Sequence, residues 1–266
     1  MYSNDQVNKL KHGLTDCMRA SERLHMQGHD FFYKLRNERA KEFMLHGFLR
    51  RSATLSRCIE NIYRLCPPGR TDKLTPDNRK DLEINLQAFV FNVFGALDNL
   101  ALVTVHELGI KIAPGRVGFL KEEIDEMLLN GLSKGFRRYI TSKKISEWKS
   151  YMRDFRHALG HRIPFYVPPA VLNEAELNRY REIENELAEA MGRFDLKAYE
   201  RLSDEQASLG KNFPVITHSI SERSKQVFFH SQVLADFNTV VEIATKFMNW
   251  FGAFESRPAS NMKRKA

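Results

Sequence analysis

The 266-residue sequence has few cysteines and no long apolar run that is free of polar residues. Its three cysteines, Cys17, Cys58 and Cys66, have neither paired spacing nor neighbouring clusters of metal ligands. They are typical of reduced thiols in a cytoplasmic protein, which argues against a disulfide framework and against a zinc site. The first residues carry no basic segment followed by an apolar one, so we expect no secretion.

The motifs of several enzyme classes are also absent. The sequence has no Gly-rich phosphate loop ending in Lys-Ser or Lys-Thr, no histidine pair of the zinc-protease type and no nucleophilic serine elbow. Its aspartates and glutamates are scattered, without an obvious metal-binding cluster. We therefore expect a protein that uses neither a metal ion nor an organic cofactor.

What is present is an ordinary globular composition with an uneven basic excess. Hydrophobic residues make up 42% of the chain, charged residues 28%, and the net charge is +8. Residues 111–162 are strongly basic, whereas residues 163–209 are acidic. A basic excess favours association with a polyanionic partner.

Apolar residues recur at helical spacing throughout, and strand-like alternation persists nowhere. The pattern predicts an all-α bundle of about six to eight helices. The expected helices cover 4–26, 30–65, 76–108, about 119–129, 143–159, 173–191, a short one from Ser203 and a last long one opened by Ser219 and Glu222.

The predicted helix 76–108 is apolar on nearly all sides between Ala88 and Val105. Asp98 near its centre would cost a few kcal/mol in a bilayer, so we expect a buried core helix and no membrane. Small and polar residues interrupt the apolar surface along one line, which should admit a close neighbour and offer it hydrogen bonds. The line consists of Ala88, Asn92, Gly95, Asn99, Leu102 and His106.

A stretch rich in proline and polar residues, 66–78, is the best candidate for a domain boundary. It separates an N-terminal helical pair, residues 1–70, from a main helical domain, residues 71–256. We expect the pair to be packed on the main core or appended to it. The main domain includes an acidic helical segment at 173–209, and residues 257–266 form a basic tail.

The segment 153–169 carries the strongest functional signal. Arg156, His157 and His161 lie at the predicted end of a helix, which Gly160 marks and a proline-rich exit follows. An arginine can donate bidentate hydrogen bonds to phosphate oxygens, and an imidazole can accept or donate a proton near neutral pH. A left-handed Gly160 would end the helix and turn His161 back towards Arg156. The alternative is an arginine and a histidine that only cap the helix and interact with its dipole.

The order arginine, polar residue, three further residues and histidine resembles the signature of the HEPN superfamily, small all-α domains that are often ribonucleases. The resemblance implies a HEPN-like antiparallel core and metal-independent catalysis in a cleft between two protomers of a homodimer. Arg156 would bind the scissile phosphate, His161 would act as general acid or base, and His157 would orient either group. The 2′-hydroxyl would attack the phosphodiester, leaving a 2′,3′-cyclic phosphate and a 5′-hydroxyl.

The same resemblance implies a biological setting and leaves an alternative open. An RNase of this type fits a toxin or a defence effector, with an antitoxin or another regulatory protein as partner. Alternatively, the fold is catalytically silent and serves as a nucleotide-binding, RNA-binding or protein-interaction module.

Asp98 and Asn99 are candidate supporting residues. A carboxylate in an apolar helix is costly unless a cation lies nearby, and Arg156 is one such cation. This placement would match the acidic or amide residue that some HEPN proteins hold near the arginine. The alternative is that Asp98 pairs with a different arginine or faces solvent at an interface.

A basic segment precedes the motif helix and is a candidate RNA contact. Its cations can neutralise phosphates, while Phe136 or Tyr139 could stack on unpaired bases. A solvated charged loop is the alternative. The cations are Lys134, Arg137, Arg138, Lys143 and Lys144.

Overall fold

The protein is an all-α bundle, which confirms the predicted fold class. The structure is a computed structural model that describes residues 2–218 and 226–255, the side chains of 252–255 excepted. The helices are α1 Asn4–Lys34, α2 Glu38–Glu42, a π-helical segment Phe43–Leu49, α3 Arg50–Leu65, α4 Pro76–Glu107, α5 Glu126–Gly131, α6 Lys134–Ile140, α7 Lys143–His161, α8 Glu174–Gly192, α9 Leu196–Ser208 and α10 Phe229–Glu255, with a 3-10 turn at Pro114–Arg116.

The first helix is longer than predicted, and the expected break between residues 26 and 30 is wrong. Gly28 lies inside α1, where a Cβ atom would come within 2.5 Å of Leu49 Cδ2. The glycine therefore marks a close helix crossing instead of a helix end. The break follows Lys34, and α2 begins where the Asn37 side chain accepts hydrogen bonds from two backbone N–H groups.

The N-terminal caps of two predicted helices are confirmed. Thr75 accepts a hydrogen bond from the Asn78 N–H at the start of α4, with Pro76 as the first helical residue. Asn173 and Glu176 form the reciprocal capping box that opens α8.

The predicted N-termini of two other helices are not confirmed. Ser203 lies inside α9, whose N-cap is Asp195, so the helix expected from Ser203 begins seven residues earlier. The predicted cap residues Ser219 and Glu222 lie outside the described residues, as does the basic tail 257–266. The described part of α10 begins at Phe229, directly after a short strand.

Helix α4 is the centre of the bundle. It packs against α2, the π-helical segment, α3, α5, α7 and α10. By length and composition it could cross a membrane, but 61% of its most apolar 18-residue window is buried inside the protein. The arrangement agrees with the expected core helix.

One hydrophobic core includes side chains from α1 to α7 and from α10, so residues 1–70 share it with the main helical domain. Helices α8 and α9, which make up most of the acidic segment 173–209, have a small cluster of their own, built from Ile183, Ala190 and Leu202. Lys73 Nζ donates a hydrogen bond of 2.8 Å to the Leu209 carbonyl and ties the base of this hairpin to the linker before α4.

Among the described residues, the only sheet is a small antiparallel ribbon of two strands. Strands β1, Val215–Ile216, and β2, Val227–Phe228, pair so that Val215 faces Phe228. Strands of two residues are too short to produce a period-two pattern, which is why the sequence did not indicate them.

We expect Phe247→Ala to destabilise the fold by about 3–5 kcal/mol, because a buried phenylalanine loses both its transfer energy and its packing. Phe247 is fully buried on α10, and its ring contacts Phe31, Phe119 and Phe136 from three other parts of the chain. Urea unfolding measures the change. The control is Tyr33→Ala, because Tyr33 is 79% exposed; equal losses for the two variants would contradict the described core.

Candidate functional site

The motif helix α7 ends close to the predicted position but in a different way. His161 is its last residue, and the Arg162 N–H donates to the Ala158 carbonyl at 3.2 Å. Gly160 is helical and does not have a positive φ, so the predicted left-handed turn is wrong. Arg162 leaves the helix with φ −133° and ψ −143°, so this exit needs no left-handed residue.

Because α7 is continuous through Gly160, it does not bring Arg156 and His161 together. Residues five apart on a helix point about 140° away from each other. His161 instead shares a face with His157, and their ring centroids are 6.0 Å apart. All three side chains are exposed at the surface of the bundle.

Arg156 is held in place by α4. Its guanidinium carbon lies 5.2 Å from the centroid of the Phe94 ring, within the range of a cation–π interaction. Phe94 itself is buried, so the ring is a fixed platform. One helical turn further along α4 is Asp98, whose carboxylate interacts electrostatically with Arg156.

Asp98 lies half-buried beneath the loop that precedes α5. A Cβ atom at Gly118 would approach Asp98 Oδ1 to 2.5 Å, so the loop can pass this close only with a glycine there. Burial raises the pKa of the Asp98 carboxyl to about 6, although the nearby cations Lys121, Arg156 and Arg51 act in the opposite direction. Arg156 is thus one of three cations around the carboxylate, and not its sole partner.

Asn99 faces a different partner from the one expected. Its Oδ1 atom accepts a hydrogen bond of 3.2 Å from Arg51 Nε, while Asn92 Oδ1 accepts one of 3.1 Å from Arg51 Nη1. Asn99 therefore supports Arg51 on α3, and its predicted support of Arg156 is wrong. The small and polar line on α4 does admit a close, hydrogen-bonding neighbour, as predicted.

Arg51 is the functional candidate that sequence reasoning missed. Its guanidinium lies over Gly95, where a Cβ atom would come within 2.4 Å of the guanidinium carbon. The signal was present as the small and polar line on α4, but nothing in the sequence identified which residue fills it. Arg51 and Arg156 lie on different neighbours of α4, with Asp98 near both.

The predicted basic segment is largely helical and partly neutralised. Arg137 lies 3.4 Å from Glu126, Lys143 lies 3.8 Å from Glu147, and Lys144 lies 3.1 Å from Glu242. Exposed ion pairs of this kind contribute little to stability, but they reduce the positive field of the segment. Lys134 and Arg138 are exposed.

The aromatic side chains of this segment pack in the hydrophobic core or against it. Phe136 is buried and stacks on Trp250, with ring centroids 5.5 Å apart and planes 2° from parallel. The predicted stacking of Phe136 on a base is therefore wrong. Tyr139 is half-buried, and Lys246 Nζ lies 4.9 Å from its ring centroid.

Among the described residues, side chains that could bind a metal ion do not form a cluster. In residues 2–218 and 226–255, no group of three or more His, Cys, Asp or Glu side chains could hold a metal ion. Cys17, Cys58 and Cys66 are free and buried. Burial raises the pKa of the Cys17 and Cys58 thiols to about 11, which makes them poor nucleophiles.

No protein-family model, curated protein or solved structure matches the chain.

We expect Asp98→Asn to stabilise the protein relative to wild type more at pH 7 than at pH 4. The raised pKa means that the native state binds the proton more tightly than the unfolded state does. The stability this proton supplies is fully present below pH 4 and is lost as pH rises through about 6. The asparagine removes this loss, worth about 1–2 kcal/mol after solvent screening at a half-buried site.

Urea unfolding of both proteins between pH 4 and pH 7 measures the effect. The matched control is Asp154→Asn, because Asp154 is exposed on α7. A difference between wild type and Asp98→Asn that stays constant across this range would contradict the buried carboxyl.

Proposed function

We propose that the protein binds RNA or a nucleotide through phosphate contacts at Arg156, as a HEPN-like helical module. The observation that carries the proposal is that Arg156 is exposed and yet held in place. Phe94 fixes the guanidinium from α4, and the Asp98 carboxylate interacts with it electrostatically, with no ion pair of Arg156 formed among the described residues. An arginine that is already oriented loses less side-chain entropy when it binds a phosphate.

The surroundings of Arg156 support a ligand with negative charge. His157 and His161 are exposed on the same helix, and Lys121 lies near the same carboxylate, Asp98. The chain has a net charge of +8, which draws polyanions towards it. The buried Phe136 argues against base stacking from the basic segment, so the contacts proposed here are to phosphates.

We expect Arg156→Ala to weaken binding of single-stranded RNA about tenfold, because a charge-assisted hydrogen bond contributes about 1.5 kcal/mol or more. The loss should be similar for different sequences, and the salt dependence of binding should become shallower by roughly one phosphate contact. Fluorescence anisotropy at several salt concentrations measures both quantities.

The control is Arg181→Ala, because Arg181 is an exposed arginine in the separate α8–α9 hairpin. Equal affinities for wild type, Arg156→Ala and Arg181→Ala would overturn the proposal.

A second candidate is a metal-independent endoribonuclease, which the HEPN resemblance implies. It is favoured by the exposed His157–His161 pair beside Arg156 at the end of α7. Because Arg156 and His161 point in different directions on one helix, the proposed site is composite. In a homodimer, Arg156 of one protomer would bind the phosphate, and His161 of the other would transfer the proton at the 2′-hydroxyl or at the leaving oxygen. The toxin or defence setting, with an antitoxin or regulatory partner, belongs to this candidate.

We expect the wild-type protein to cleave RNA in EDTA and to leave 2′,3′-cyclic phosphate ends. Arg156→Ala and His161→Ala should each lower the rate about 10²–10⁴-fold, the range typical of lost acid–base or electrostatic catalysis. His12→Ala, at an exposed histidine of α1, is the control and should cleave normally. Cleavage that EDTA abolishes, or equal cleavage by all variants, would sink this candidate.

A mixing experiment tests the composite site. Each inactive variant retains one of the two groups, so an Arg156→Ala/His161→Ala heterodimer has one complete site and one empty site. Random mixing should then recover about a quarter of the wild-type rate, because about half of the dimers are mixed and each has one working site. Recovery is not expected if both groups act within one protomer.

A further inference from the structure

A cavity of about 440 Å³ opens between α4 and the rod formed by α2, the π-helical segment and α3. This volume lies within the range of small-molecule sites in proteins. Its wall carries cationic and neutral polar groups together with one glutamate. The lining residues are Glu42, Phe43, His46, Gly47, Arg50, Arg51, Thr54, Asn92 and Asn99.

Arg51 is fixed in this wall by neutral partners. Two of its five N–H donors are used by the amide oxygens of Asn92 and Asn99, and neither partner is a carboxylate. The positive charge is thus not neutralised by a direct ion pair, and the guanidinium lies in a defined orientation over Gly95. A guanidinium held in this way is suited to bind a phosphate group with its remaining donors.

The other charges of the cavity favour an anion as well. Arg50 directly precedes Arg51 at the start of α3, and both line the cavity with the exposed His46. Glu42 is the one acidic residue among the lining residues, and it forms an ion pair with Arg39 within α2. The cavity therefore keeps a positive excess.

The backbone geometry around the cavity also supports a functional site. A π-helical segment of seven residues, Phe43–Leu49, forms one wall, and π-helical turns often occur at functional sites. Gly47 in this segment approaches α4 so closely that a Cβ atom would lie 2.7 Å from Asn99 Cγ. The π segment and α4 thus clamp the amide that holds Arg51.

We propose that this cavity is a second, separate anion site that binds the phosphate groups of a small molecule, with Arg51 as the principal ligand. Phe43 already stacks on His106, with ring centroids 5.2 Å apart, and Arg39 covers its ring at 4.7 Å. The Phe43 ring is thus already engaged by two side chains, and the recognition proposed for the cavity is of phosphate. The site is independent of the RNA contacts proposed at Arg156.

The decisive variant is Gly95→Ala, because it displaces the Arg51 guanidinium without changing any charge. Alanine is favoured over glycine inside a helix by about 1 kcal/mol, and the atom it meets is the end of a flexible side chain, so the fold should survive. Arg51→Lys is the second variant, since lysine retains the charge but loses the fork. Arg57→Ala, at an exposed arginine further along α3, is the matched control.

Isothermal titration calorimetry of the full chain with inorganic phosphate, pyrophosphate and ATP is the test. We expect pyrophosphate and ATP to bind wild type with similar affinities, and Gly95→Ala and Arg51→Lys to bind both at least tenfold more weakly. Arg57→Ala should bind as wild type does. ATP binding without pyrophosphate binding would overturn phosphate recognition, and so would affinities unaffected by Gly95→Ala and Arg51→Lys. Failure of all three probes to bind wild type would overturn the site while leaving the RNA proposal at Arg156 untouched.

Discussion

The bundle depends on the burial of α4. A helix of 32 residues whose middle is apolar on almost every side must be surrounded, because each exposed apolar side chain would cost roughly 1.5–3 kcal/mol. Six neighbouring elements supply the cover. They leave one half-exposed line of small and polar residues, and this line sets the distance at which α3 and the π-helical segment can approach. Arg51 takes its position from this line, while Arg156 lies over Phe94 of the same helix.

This dependence explains which parts of the fold could be predicted. The burial of α4, its cap at Thr75 and the capping box at Asn173 depend on residues close together in sequence, so local patterns were sufficient. The helix break predicted near Gly28 was wrong because a glycine in a helical pattern can mark either a helix end or a close helix crossing. The atom that decides between these two outcomes belongs to Leu49, 21 residues away. Ser203 misled because Asp195 supplies an equally good cap.

At the candidate site, too, local features could be predicted and features that depend on packing could not. That Arg156 lies at an exposed helix end with two histidines could be predicted, as could the presence of a cation near Asp98. The direction of His161 could not, because it depends on whether Gly160 continues the helix, and glycine permits both outcomes. The partner of Asn99 also escaped prediction, since Asn99 and Arg51 meet only through the packing of α3 on α4.

The α8–α9 hairpin has a consequence for how the protein moves. Its three buried side chains form a cluster apart from the main core, and its base is held by a few polar contacts such as Lys73 to Leu209. Little apolar surface needs to be exposed for it to open, so it can separate while the rest of the bundle stays folded. In the native protein, the amide protons of α8 and α9 should therefore exchange with solvent far sooner than those of α4.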